Sequence, residues 1–219
     1  MDKEFWIRRW QDGLTGWHCK DFNKSLVTNA QTIFMDQSLP IFVPLCGKSR
    51  DMLWLLKQGY SVVACELSHK AVLEFFTENQ IPYSVTSTPA FQVFTSCNVQ
   101  QPIKILQGDI FQLSGEVLGA ISGIYDRAAY IALNQEQRKE YAKIISKIGH
   151  NKPILLETID YPQCKVDGPP FSISRQEITA YFSLKKIACL VEDPCEKMQS
   201  PRFVAAGLDQ VILRVFKLS

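Results

Sequence analysis

Three features of the sequence predict an α/β protein built on a doubly wound, mostly parallel sheet, with an N-terminal helical extension. From Pro40 onward, short apolar runs alternate with amphipathic helical patterns in strand–helix–strand–helix order, and such alternation buries a parallel sheet between helical layers. The first run, Ile41-Phe42-Val43-Pro44-Leu45, is apolar at every position, as a strand covered on both faces requires. It leads directly into a Cys46-Gly47-Lys48-Ser49 turn, and open α/β sheets place their ligands outside the carboxyl ends of strands.

The extension, about residues 2–38, reads as helix in two pieces. Phe5, Trp6, Trp10 and Trp17 give its start aromatic mass, and Trp6 reads as a packing anchor. Gly13 and Gly16 break the first piece, and the second runs from about Asp21 with Leu26, Ile33 and Phe34 apolar. After the Gly47 turn a helix carries Met52, Leu53, Leu55 and Leu56, and Gly59 stops it. Ser61 to Glu66 is the second strand, and Ser68 caps a helix with Val72, Leu73, Phe75 and Phe76. Residues 91–94 and 103–106 alternate around a polar segment and predict a hairpin whose second arm joins the sheet. Ile121 to Tyr125 is a further strand ending at Asp126-Arg127. Asn134 with Gln137 predicts a capping box opening a helix to about Ile148, and Ser174 with Glu177 predicts a second. Pro153–Ile159, Ile187–Glu192 and Gln210–Phe216 complete the strands, the last two as an antiparallel edge pair.

Composition excludes several classes. The 219 residues are 46% hydrophobic and 21% charged, with a net charge of +2. Lys and Arg are dispersed among Asp and Glu, without the clustered basic stripe that nucleic acid demands. No apolar stretch approaches the roughly 20 residues that span a bilayer, and the first residues lack the layout of a signal peptide. Seven cysteines without C-x-x-C spacing predict reduced thiols and a cytoplasmic protein. Three isolated histidines offer no metal cluster. The absence of a long apolar surface stripe predicts a monomer.

Three strand ends are where chemistry is expected: Leu45-Cys46-Gly47, Glu66 and Asp126-Arg127. Gly47 lets backbone approach a ligand closely. Glu66 follows it by about 20 residues, the spacing at which an acid accepts bonds from both ribose hydroxyls of an adenosine ligand. That leaves NAD and S-adenosylmethionine both open. A single glycine in place of G-x-G-x-x-G provides poorly for a pyrophosphate and favours a cofactor without phosphates, and the missing first glycine excludes a P-loop. Cys46 invites a nucleophile reading, but a small residue fitting beside the ligand is sufficient explanation. At Asp126-Arg127 the alternatives are a local ion pair and an arginine that reaches an anionic ligand.

Six blocks of sequence together resemble the thiopurine S-methyltransferase family along nearly the whole chain. They are Trp10 with residues 13–18 (Gly-Leu-Thr-Gly-Trp-His), residues 43–49, residues 62–68, Gly108-Asp109-Ile110-Phe111, residues 125–129, and Gly168-Pro169-Pro170-Phe171. The resemblance implies the seven-stranded, Rossmann-like class I methyltransferase sheet, in one domain spanning 1–219 whose residues 1–38 cap the active site. It implies S-adenosyl-L-methionine as cofactor, held by Trp10, Leu45, Glu66, Asp109, Ile110 and Arg127. It implies that Trp17, where related members have phenylalanine, and Phe171 contact a small aromatic or heterocyclic thiol. Selenium and tellurium oxyanions are further acceptors to consider. Arg127 would favour an anionic acceptor, and Asp126 would either take a proton through water or hold Arg127. The alternatives are a nicotinamide-dependent Rossmann oxidoreductase and a non-catalytic cofactor-binding protein.

Overall fold

A computed structural model describes residues 3–97, 100, 102–194, 201–208 and 210–219; residues 1 and 2 of the expected extension lie outside it, as do Cys195 and its neighbours to 200. The chain divides into two compact units, Met1–Tyr125 and Asp126–Ser219.

In the first unit the extension forms two helices, α1 (Lys3–Gln11) and α2 (Lys24–Ile33). Asn23 caps α2 by accepting from the Leu26 N–H, and its own N–H donates to Asp51 at 2.8 Å. The first strand, β1 (Ile41–Pro44), is buried at all four positions. Helix α3 (Asp51–Lys57) follows, then β2 (Val62–Glu66), also buried throughout, and α4 (His69–Glu78), capped by Ser68. Strands β3 (Tyr83–Ser87), β4 (Gln92–Ser96) and β5 (Ile103–Gln107) are followed by the short α5 (Gly115–Leu118) and β6 (Gly123–Arg127). Within this unit the strand order is β3-β4-β5-β2-β1-β6. The pairs β5–β2, β2–β1 and β1–β6 are parallel, and β3–β4 and β4–β5 are antiparallel. The hairpin expected before β5 is present as β4–β5, and β3 adds a strand at the edge that the sequence pattern did not reveal.

The second unit opens on α6 (Gln135–Ile148), whose Asn134–Gln137 capping box is made in both directions. Next come β7 (Ile154–Asp160), α7 (Arg175–Tyr181), β8 (Ile187–Pro194), α8 (Pro201–Ala205) and β9 (Ile212–Leu218). Strand β9 pairs antiparallel with both β7 and β8, as expected of the terminal pair. The described residues thus hold nine strands, two more than expected from the resemblance, because β3 and β4 are appended beside β5. Among them no helix is long and apolar enough to cross a membrane, and no cluster of metal-ligating side chains occurs.

Candidate functional site

In the first unit the carboxyl ends of β1, β2 and β5 bring together most of the expected cofactor residues. Glu66, the last residue of β2, is 6% exposed. Its Oε2 accepts from the Gly47 N–H and its Oε1 from the Ser68 N–H, each at 2.7 Å. Burial raises the carboxyl above its ordinary range, and the N–H donors of Ser68, Gly47 and Leu67 oppose that rise. A carboxylate has about four acceptor positions, so these bonds orient Glu66 and leave capacity for hydroxyl donors. That remaining acceptor capacity fits a ribose hydroxyl.

Leu45 and Gly47 have positive φ, 43° and 52°. For leucine this is a strained conformation of the kind that gathers at ligand sites. Gly47 is required for a second reason: a Cβ there would lie 2.8 Å from Cζ2 of Trp10. Trp10 is 4% exposed and meets Trp17 edge-on at 5.8 Å, while Trp17 meets Trp6 at 5.3 Å. Trp6 is thus part of an aromatic cluster that joins α1 to the Gly47 turn, consistent with its anchoring role. Beyond β5, Asp109 accepts from the Phe111 N–H at 3.0 Å and pairs with Lys3 of α1 at 2.5 Å. Ile110 is buried beside it. Burial, reinforced by the Glu66 charge, pushes the thiols of Cys46 in the loop and Cys65 in β2 well up, which disfavours their thiolate forms.

The second unit carries the remaining expected residues. Asp126 is 1% exposed. It accepts from the Tyr141 hydroxyl at 2.5 Å and from the Tyr130 N–H at 3.1 Å. Burial raises its carboxyl to about 6, against the pull of those donors and the Ala129 N–H. Arg127 has an ion pair with Glu157 of β7 at 3.8 Å. The next residue, Ala128, is in the left-handed region at φ 64°, so the turn after β6 repeats the strain seen at Leu45. Phe171 is half-buried, its N–H donating to the Ile131 carbonyl at 2.7 Å.

All of residues 1–219 match the model of the thiopurine S-methyltransferase family. The chain belongs to the thiopurine S-methyltransferase family. A relative named thiopurine S-methyltransferase from Pseudomonas entomophila is 38% identical over 224 residues, covering all of both chains. Among solved structures, a SAM-dependent methyltransferase from Anabaena variabilis is similar with a TM-score of 0.58 at 14% identity, over 99% of this chain and 95% of the other. The glycopeptide N-methyltransferase MtfA, complexed with sinefungin, gives 0.58 at 11% identity, over 91% and 95%. The family member described here therefore has the α/β class I methyltransferase fold, and nothing in these likenesses supports the nicotinamide alternative.

Three residues around the candidate positions were not legible as such. Tyr141 and Glu157 reach Asp126 and Arg127 from α6 and β7, and Arg138 lies 5.7 Å from the Phe171 ring. Glu177 had a sequence signal, but for a different role. Its N–H is capped by Ser174 as expected, while its carboxylate is bound by Arg138.

Proposed function

We propose that this chain is an S-adenosyl-L-methionine-dependent S-methyltransferase of small aromatic and heterocyclic thiols, a monomer of the cytoplasm. The observation that carries the reading is the match of the family model over residues 1–219, and the buried Glu66 at the end of β2 supports it as the acid that would bind the ribose. When bound, the cofactor supplies a sulfonium methyl that is already electrophilic. Glu66 binds the ribose hydroxyls, Leu45 and Trp10 border the cofactor, and Asp109 and Ile110 flank the adenine. Residues 1–38 act as a cap, a role supported by Trp10 lying on Gly47 and by the Lys3–Asp109 pair.

On the acceptor side, Arg127 favours the thiolate over the thiol, since a nearby cation stabilises the charged form. Phe171 offers an aromatic face to the acceptor ring, and Trp17 is a second aromatic residue proposed to contact it. Asp126 serves as a positioning residue for Arg127: one of its oxygens is committed to the Tyr130 N–H in the turn after β6 and the other to the Tyr141 hydroxyl of α6. Rate enhancement comes from alignment of reactants, a source worth roughly 7–11 kcal/mol in favourable cases. No nucleophilic side chain takes part.

Incubation with methyl-labelled cofactor and a mixture of thiols, selenite and tellurite, followed by mass spectrometry, tests the reading. Labelled methyl thioethers are expected. A protein that binds S-adenosylhomocysteine yet labels no product is instead a cofactor-binding protein without this catalysis.

A further inference from the structure

Arg138, on α6, is 5% exposed, and a cation so buried requires close compensation. Its Nε and Nη2 donate to the two oxygens of Glu177 at 2.6 and 2.8 Å, and its Nη1 donates to the Leu133 carbonyl at 2.8 Å. The Tyr130 hydroxyl donates to the same Glu177 at 3.0 Å. Burial, with the Glu177 charge, pushes that hydroxyl far up, so it remains a donor.

The network reaches beyond itself at one ring. The guanidinium carbon is 5.7 Å from the centroid of Phe171 and 5.9 Å from that of Tyr130, within the range of cation–π attraction. The Phe171 N–H is tied to Ile131, next to Tyr130. Gly168 touches the same ring so closely that a Cβ there would meet Cδ1, Cε1 and Cγ and force the ring to shift. The surrounding loop is pinned as well. Pro170 accepts from the Tyr161 hydroxyl at 2.6 Å, and the Ser172 N–H donates to Gln163 at 2.7 Å. Phe171 is therefore a half-buried ring with its backbone and one neighbouring charge fixed in advance.

We infer that Arg138, locked by Glu177 and Tyr130, is a positioning residue that presets the Phe171 ring for docking of the aromatic acceptor. The inference rests on the thiol reading above and on the placement of Phe171 at the acceptor. Ordering a side chain before binding removes that cost from the binding step, so the network sets acceptor affinity and leaves cofactor affinity alone.

The test compares wild type with the double variant Arg138→Gln/Glu177→Gln, which removes both charges together, each with and without Phe171→Leu. Thiophenol is the acceptor. The readouts are KM, kcat, the Kd of thiophenol in the dead-end complex with S-adenosylhomocysteine, and the Kd of S-adenosylhomocysteine itself. Removing the pair should raise KM and the dead-end Kd about tenfold, with kcat and cofactor affinity within about twofold. In the Phe171→Leu background the same change should add less than about twofold, because the two groups act through one contact. Equal factors in both backgrounds, or a cofactor affinity that weakens in step with KM, overturn the inference and leave the thiol reading standing. Should the double variant not fold, Tyr130→Phe removes a single hydroxyl. It should raise KM about threefold with the same dependence on Phe171, and no rise overturns the inference. A wild type that binds S-adenosylhomocysteine but neither binds nor methylates thiophenol overturns both together.

Discussion

Burial raises the Asp126 carboxyl from 3.8 to about 6 although three hydrogen bonds favour its charged form. Between those two values the folded chain holds a proton that the unfolded chain has released, so stability falls as pH rises through the window and is level above it. The difference of about two pKa units corresponds to on the order of 3 kcal/mol. Asp126→Asn keeps an acceptor and a donor for the same neighbours but cannot ionise. Urea denaturation at pH 4 and pH 6.5 should show the decline in wild type and not in the variant, and parallel profiles would refute the assignment. Glu66 also has a raised pKa, but its consequence is read in ligand binding, because ribose hydroxyls need the ionised carboxylate. Glu66→Gln should weaken S-adenosylhomocysteine at least tenfold, about 1.4 kcal/mol, in calorimetry at pH 7.5. Wild-type affinity should fall as pH drops through the raised pKa, and equal affinities in the two proteins would remove Glu66 from the site. Glu66 was legible as a candidate because the role proposed for it follows from a spacing rule along the chain. Tyr141 and Arg138 were not, since their partners lie 15 and 39 residues away and only the fold joins them.

Two of the contacts that hold helix α1 are unequal. Trp10 is almost wholly buried against Gly47, whereas the Lys3–Asp109 pair leaves the lysine side chain 58% exposed. Truncating a buried tryptophan costs about 3–5 kcal/mol, and an exposed ion pair contributes at most about 1 kcal/mol. Trp10→Ala should therefore expose α1 to limited proteolysis and weaken cofactor binding, while Lys3→Ala leaves both nearly unchanged. Equal susceptibility of the two variants would show that the indole is not the anchor. The elements legible in the sequence are those with a local mechanism: the all-apolar run of β1, the Ser68 cap of α4, the two-way capping box of α6. Strand β3 escaped notice because four of its five residues are exposed, so an edge strand leaves no buried alternation to read. The strand expected over 121–125 runs instead over 123–127. Ile121 and Ser122 are buried beside it, and the Ser122 hydroxyl binds the Leu39 carbonyl, so apolar character begins before the ladder does. At α7 the Ser-x-x-Glu signature located the helix start, but the stronger claim of a buried arginine took the glutamate side chain.

Ligand linkage gives a test that spans the chain. Trp10, Leu45, Glu66, Asp109 and Ile110 all belong to the unit ending at Tyr125, and Asp126, Arg127 and Phe171 to the unit that follows. A ligand that binds only the folded form stabilises it by about 2.7 kcal/mol at a hundredfold excess over Kd, and openings that break its contacts are suppressed most. Hydrogen exchange with saturating S-adenosylhomocysteine should therefore slow chiefly in residues 43–48, 64–68 and 107–112, the carboxyl ends of β1, β2 and β5 with their turns. Adding a non-reactive aromatic thioether should then slow exchange at 129–133 and 170–173, the backbone around Phe171. The order matters, because the two sets of residues are assigned to different ligands. If S-adenosylhomocysteine alone protected 170–173 as strongly as 64–68, the division of roles between Glu66 and Phe171 would be wrong, whereas protection absent from 64–68 would remove the adenosine assignment itself.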